Sequence, residues 1–138
     1  DIDKNTQNSF IQLTELNKRY KNITLINEYC DYYEYRRLLK NITIMPLNYN
    51  IDQINIGSGI LYSCISHEII PIIPSKTDYL EEVLVSGSNL SANNLDQFVN
   101  SILEIIKNYD NFLNKIKISS KKLKNLIEND ILVKNILN

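Results

Sequence analysis

Residues 69–74 form an unbroken apolar run, Ile-Ile-Pro-Ile-Ile-Pro. A strand with one face in water alternates apolar and polar residues, and this run does not. Unbroken apolar runs of this length are typical of strands that are buried on both faces, as in a parallel sheet covered by helices. We therefore expect residues 69–74 to form a central strand of a parallel sheet.

Strand-like and helix-like stretches alternate along the rest of the chain. β-branched residues predict strands at 23–26 and 42–46, and Leu90 starts a brief edge strand after a turn at 86–89. Apolar residues at helical spacing predict helices at 6–20, 31–40, about 57–68, 77–84, about 93–106, and from 109 onwards. This alternation implies right-handed βαβ units. The predicted fold class is α/β, a Rossmann-like parallel sheet with helices on both faces.

Two of the predicted helices carry clear start signals. Asp31 and Glu34 have the spacing of a capping box, in which Asp31 accepts from the first-turn amides. Asn93 or Asn94 caps the later helix. The apolar residues of that later helix recur at helical spacing, and they are Leu95, Phe98, Val99, Ile102 and Ile106.

Composition and charge narrow the class of protein. Hydrophobic residues make up 43% and charged residues 22%, which favours a globular chain. Fifteen basic against sixteen acidic residues give a formal charge of −1, which argues against a nucleic-acid partner. Apolar runs are much shorter than a membrane-spanning helix requires, so we expect a cytoplasmic protein. The segment from Glu104 to Asn138 contains seven lysines and four acidic residues. This excess of positive charge fits either a solvated helix face or peripheral contact with the inner face of a membrane.

The cysteines and the histidine do not have the spacing of a metal site. Cys30 and Cys64 lie in different predicted elements, and His67 is the one histidine of the chain. We expect two reduced thiols, no metal, and an imidazole whose hydrogen bonds are satisfied within the fold.

The most informative stretch for chemistry is the junction around Gly57-Ser58-Gly59, which holds two of the three glycines in the chain. Glycines let the backbone approach a ligand closely, and Ser58 can cap the helix that follows. The free amides and the positive dipole end of such a helix suit a phosphate or a diphosphate. An ordinary turn and helix cap is the alternative interpretation.

Around this junction the chain resembles the C-terminal lobe of GT-B glycosyltransferases. The resemblance lies in the order of a strand ending in Pro46, the small-residue turn Ser58-Gly59, a helix, the segment Pro71-Ile-Ile73, the pair Glu81-Glu82, and Asn94-Leu-Asp96. It covers residues 6–127 approximately. It implies a donor-binding domain at 1–127 and a C-terminal helical tail at 128–138.

The resemblance implies a glycosyltransferase that moves a sugar from a nucleotide-sugar to a glycan or lipid-linked acceptor. In that family the turn and the helix start contact the diphosphate, which maps to Ser58, Gly59 and Ile60, next to Gly57. The loop after the preceding strand brackets the base, which maps to Glu28, Tyr29 and Cys30. Glu81 and Glu82 would contact hydroxyl groups of the sugar or ribose. The resemblance implies no tightly bound cofactor, and the catalytic residues stay unassigned.

The chain departs from the family in two respects. Retaining members usually carry two glutamates at a Glu-x7-Glu spacing, and those positions fall near Ile56 and Cys64, with Glu68 one helical turn too late. A doubly wound half-domain also starts with a strand, whereas this chain opens with a predicted helix. We interpret the chain as part of a longer protein, whose first strand and acceptor lobe precede Asp1. A degenerate lobe or a non-catalytic α/β interaction or signalling module is the alternative.

Overall fold

The computed structural model describes residues 4–26, 28–47, 59–74 and 84–129 of the 138-residue chain. Within these residues the elements, in chain order, are α1 (Lys4–Arg19), α2 (Tyr32–Leu39), β1 (Ile44–Pro46), α3 (Gly59–Ser66), β2 (Ile70–Ile73), β3 (Leu90–Ser91), α4 (Leu95–Lys107) and α5 (Tyr109–Asn129). The predicted helix at 77–84 lies almost wholly outside the described residues. No helix in the described ranges has both the length and the apolar character needed to cross a membrane.

The three strands form one parallel sheet in the order β1-β2-β3. Ile44 lies opposite Ile70, and Leu90 lies opposite Ile72. All four residues of β2 are buried. The prediction of a central parallel strand within 69–74 is therefore confirmed, as are the α/β class and the short edge strand at Leu90.

The predicted strand at 23–26 is wrong. The Ile23 amide donates to the carbonyl of Tyr20 at 3.2 Å, and the Leu25 amide donates to Asn17 Oδ1 at 3.0 Å. The amides of Ile23 and Leu25 thus donate to groups at and just after the end of α1, so they are not available for hydrogen bonds to a neighbouring strand. Ile26 is 51% exposed to solvent. The β-branched residues favour extended backbone here, but no described strand pairs with them.

The chain divides into two compact units, Asp1–Glu34 and Tyr35–Asn138, called here the first and the second unit. The first unit holds α1, which carries an exposed Glu15–Lys18 ion pair at 3.0 Å. It also holds the start of α2, where Asp31 Oδ1 accepts from the Glu34 amide at 2.8 Å. The predicted Asp31 cap is therefore confirmed.

The second unit contains the sheet and a core built around β2. Its largest cluster consists mainly of residues of α3, β2, α4 and α5, and seven of its members are completely buried: Leu61, Ile65, Ile70, Ile72, Ala92, Ile105 and Ile116. A smaller cluster joins Leu39 of α2 to Cys64 and Ile69. Both clusters use buried side chains from α3, so this short helix is held firmly beside the sheet.

Helix α4 buries a different set of residues from the set that its apolar pattern suggests. Its buried residues are Phe98, Ser101 and Ile105. Of the predicted apolar positions, Phe98 is buried and Ile102 packs against the core, whereas Leu95, Val99 and Ile106 are exposed. The helix carries more apolar residues than one face can bury, and its packing on β2, β3 and α5 selects which of them face inward.

Helix α3 ends in a Schellman motif. The Ile69 amide donates to the carbonyl of Cys64 at 2.9 Å, and the Glu68 amide donates to that of Ile65 at 3.2 Å. Glu68 is the one non-glycine residue of the described ranges with a positive φ, at 60°. This left-handed position usually holds glycine, because a Cβ atom crowds the backbone there.

The Glu68→Gly substitution should therefore stabilise the fold. Relief of the left-handed strain outweighs the greater freedom of glycine in the unfolded chain, so we expect a gain of about 0.5–1 kcal/mol. Urea denaturation followed by circular dichroism measures this gain. Glu104→Gly is the control inside α4, where glycine should cost about 1 kcal/mol and the hydrogen bond from Asn108 Nδ2 to Glu104 Oε1 at 2.7 Å is also lost. A loss of stability in both variants would contradict the strain at Glu68.

Candidate functional site

The amino end of α3 lies at the carboxyl edge of the sheet. Strands β1 and β2 are parallel neighbours, and α3 connects them in the chain. A helix that connects two parallel strands runs opposite to them, so its first turn lies beyond the strand ends. Pro46 and Ile73 are those strand ends. This edge is where open α/β sheets bind ligands.

The amino end of α4 belongs to the same edge, because α4 begins shortly after β3 ends. There Asn94 is the cap, and its Oδ1 accepts from the Gln97 amide at 2.9 Å. Gln97 Oε1 in turn accepts from the Asn93 amide at 2.7 Å. The Asn94 side chain satisfies one first-turn donor of α4, and the Gln97 side chain satisfies the Asn93 amide just before the helix, so α4 offers an anion fewer donors than an uncapped helix would.

The first turn of α3 has a different character. Gly59 and Ile60 are its first two residues, and amides at a helix start have no carbonyl within the helix to donate to. The helix carries no charged residue at all, so no carboxylate in the first turn competes with a bound anion. The positive end of the helix dipole is therefore unopposed by α3 itself.

Gly59 leaves open space at the start of α3. A Cβ atom built on Gly59 meets no heavy atom of the described residues within 4 Å. The glycine is exposed, and the neighbouring Ile60 is 45% exposed. Nothing in the described packing requires a glycine at this position, so the space beside it is available to a ligand.

The predicted site residues are distributed over several parts of the chain. Gly59 and Ile60 lie together on the first turn of α3. Tyr29 is 93% exposed and belongs to the first unit, and the strand that was expected to precede it at 23–26 does not form. Four predicted site residues lie outside the described part of the chain: Gly57, Ser58, Glu81 and Glu82. Of the predicted site residues, the structure thus brings together Gly59 and Ile60 at the start of α3.

His67 and Glu68 lie at the far end of α3. His67 Nδ1 donates to the carbonyl of Ser63 at 2.9 Å, so the imidazole is held within the fold as expected. Glu68 follows it in the Schellman motif. Eight helical residues span roughly 12 Å, so neither side chain lies beside Gly59. The sequence already placed Glu68 one helical turn too late for the second glutamate of the Glu-x7-Glu pair, and in the structure it lies beyond the end of α3 at Ser66.

Cys64 is buried, and its thiol is poorly reactive. Burial raises the pKa of its thiol to about 11, so the group is neutral at physiological pH. A neutral buried thiol is a poor nucleophile and a poor metal ligand. Both cysteines are free thiols, and in the described ranges no three His, Cys, Asp or Glu side chains group closely enough to hold a metal ion.

No protein-family model matches this chain, and neither a curated protein nor a solved structure matches it. Within the described residues, the arrangement at the carboxyl edge that suits a ligand best is the uncharged, open first turn of α3.

Proposed function

We propose that the second unit binds a nucleoside diphosphate at the start of α3, as the donor-binding domain of a glycosyltransferase. Such an enzyme transfers a sugar from a nucleotide-sugar to a glycan or lipid-linked acceptor. The observation that carries the binding proposal is the open first turn of α3 at the carboxyl edge of a parallel sheet. Amides and a helix dipole aimed at one point favour a phosphate there.

The proposed chemistry is electrostatic. The amides of Gly59 and Ile60 donate to oxygens of the diphosphate, and Ser58 contributes its hydroxyl. When the sugar leaves, negative charge develops on the nucleoside diphosphate. Donors fixed in advance around that charge stabilise the transition state, because they need not reorganise during the reaction.

The resemblance to GT-B glycosyltransferases supports the enzymatic part of the proposal. In this proposal the sheet is the Rossmann-like half of a two-lobe enzyme, Glu81 and Glu82 contact hydroxyl groups of the donor, and the acceptor binds on the other lobe. The small parallel sheet with its helices is compatible with that assignment and also with other α/β proteins. The test therefore has to address the ligand directly.

A nuclear magnetic resonance titration of the 15N-labelled chain with UDP, GDP and ADP locates the ligand. We expect saturable shifts of the Gly59 and Ile60 amide signals with at least one of these nucleotides. The amide of Ser66, at the other end of α3, serves as the internal control and should shift much less. Saturable shifts confined to the lysines of α5, or no shifts at all, would contradict the proposed site.

A further inference from the structure

Helix α4 exposes a row of large apolar side chains. The exposed fractions are 77% for Leu95, 48% for Val99, 58% for Leu103 and 62% for Ile106. Successive spacings of four, four and three residues place these side chains on one side of the helix. We call these four residues the α4 row. It is separate from the buried residues Phe98, Ser101 and Ile105, which face the core.

The α4 row exposes more contiguous apolar surface than single apolar residues scattered over a protein surface do. Four adjacent aliphatic side chains at these exposures present a few hundred Å² of apolar surface, which is the size at which a patch on a monomer usually marks an interaction site. The row borders the core, because Ile102 lies between it and the buried face and packs against the core cluster. Helix α4 is thus apolar over more of its surface than the second unit covers.

The pattern of the α4 row is symmetric about the middle of the helix. Leu95 and Ile106 lie near its two ends, and Val99 and Leu103 lie at equal distances from Ser101. A two-fold axis at the level of Ser101 would therefore lay the row against the same row of an antiparallel copy. Val99 would then pack against the partner's Leu103, and the same contact would form twice.

The charges beside the α4 row have the same symmetry. Asp96 and Lys107 are eleven residues apart, so they lie within about 20° of each other around the helix, on one flank of the row. Both are exposed. When two α4 helices pair antiparallel, the flank with Asp96 and Lys107 on one helix lies beside the same flank of the other helix. Asp96 therefore faces the partner's Lys107 at each end. A parallel pair would place this flank against the opposite flank and would form neither charge pair.

We propose that the α4 row is a homodimer interface, in which two copies of the chain pair through antiparallel α4 helices. Apolar contacts along the row provide the affinity, and the two Asp96–Lys107 pairs select the antiparallel arrangement. The proposal is independent of the nucleotide site. The row covers less surface than a standard stable interface, so we expect a dimer that dissociates on dilution into the micromolar range.

Sedimentation velocity of the full chain over a wide concentration range tests the interface. We expect a reversible monomer–dimer equilibrium, and Leu103→Asp should weaken it by at least about tenfold. Ile118→Asp is the matched control, because Ile118 is 54% exposed on α5 and lies outside the row. A chain that stays monomeric at every concentration overturns the proposal, and so does an equal loss in the control variant.

A charge reversal tests the antiparallel arrangement. Asp96→Lys and Lys107→Asp should each weaken self-association, because every homodimer then pairs like charges. An equal mixture of the two variants should restore dimers, since the introduced lysine of one variant then meets the introduced aspartate of the other. Both sites are exposed, so the variants should fold, and circular dichroism checks this. Failure of the mixture to exceed the separate variants would overturn the arrangement.

Discussion

The Gly59→Val variant is expected to lose nucleoside diphosphate binding while it keeps its fold. A valine side chain would occupy the open space beside the first turn of α3, where no heavy atom of the described residues lies within 4 Å of a Cβ atom. The phosphate would then be unable to reach the amides of Gly59 and Ile60. We expect the affinity to fall at least about 30-fold, which corresponds to about 2 kcal/mol.

The stability of Gly59→Val separates a lost site from a lost fold. Valine has a higher helix propensity than glycine, so the unfolding free energy should stay level or rise slightly. Ser66→Val is the control, because it adds a β-branched residue to the exposed far end of the same helix. That variant should bind as the unmodified chain does. Undiminished affinity of Gly59→Val for the nucleoside diphosphate would contradict a site at the start of α3.

The Ile72→Ala variant should lose much of the stability of the second unit. Ile72 is completely buried in the middle strand of the sheet and belongs to the largest core cluster. Removing three carbon atoms there forfeits their burial and leaves a cavity, which together cost about 3–4 kcal/mol. Urea denaturation monitored by circular dichroism measures the difference.

Ile118→Ala is the control for this loss. The same atoms are removed from a side chain that is 54% exposed on α5, so the expected change is below about 0.5 kcal/mol. Similar small changes in both variants would mean that β2 is not the centre of the fold.

Local patterns predicted the fold well where the cause of the structure is local. The unbroken apolar run predicted the central strand β2, and Asp31 and the pair Asn93-Asn94 predicted the starts of α2 and α4. A strand also needs a neighbouring strand to complete its hydrogen bonds, and the residues of segment 23–26 do not indicate whether such a neighbour exists. The prediction failed there for that reason.

The burial of α4 and the composition of the site depend on long-range packing. Periodicity showed that α4 has a broad apolar surface, but the neighbouring strands and α5 determine that Phe98 and Ile105 face inward and Val99 does not. The helix start at Gly59 was predicted from its glycines and the loop before it. Tyr29 was expected to bracket the nucleotide base because a strand was predicted at 23–26 before it. That strand does not form, so the role of Tyr29 stays a prediction that the fold does not support.

A calorimetric titration of this chain with UDP, GDP, ADP and CMP tests directly whether the start of α3 holds a nucleoside diphosphate. We expect saturable heat of binding with one nucleoside diphosphate and weaker or absent binding of CMP, which has a single phosphate. The nucleotide that binds would also identify the base of the donor. No saturable binding to any member of the panel would contradict the proposal that the start of α3 holds a nucleoside diphosphate.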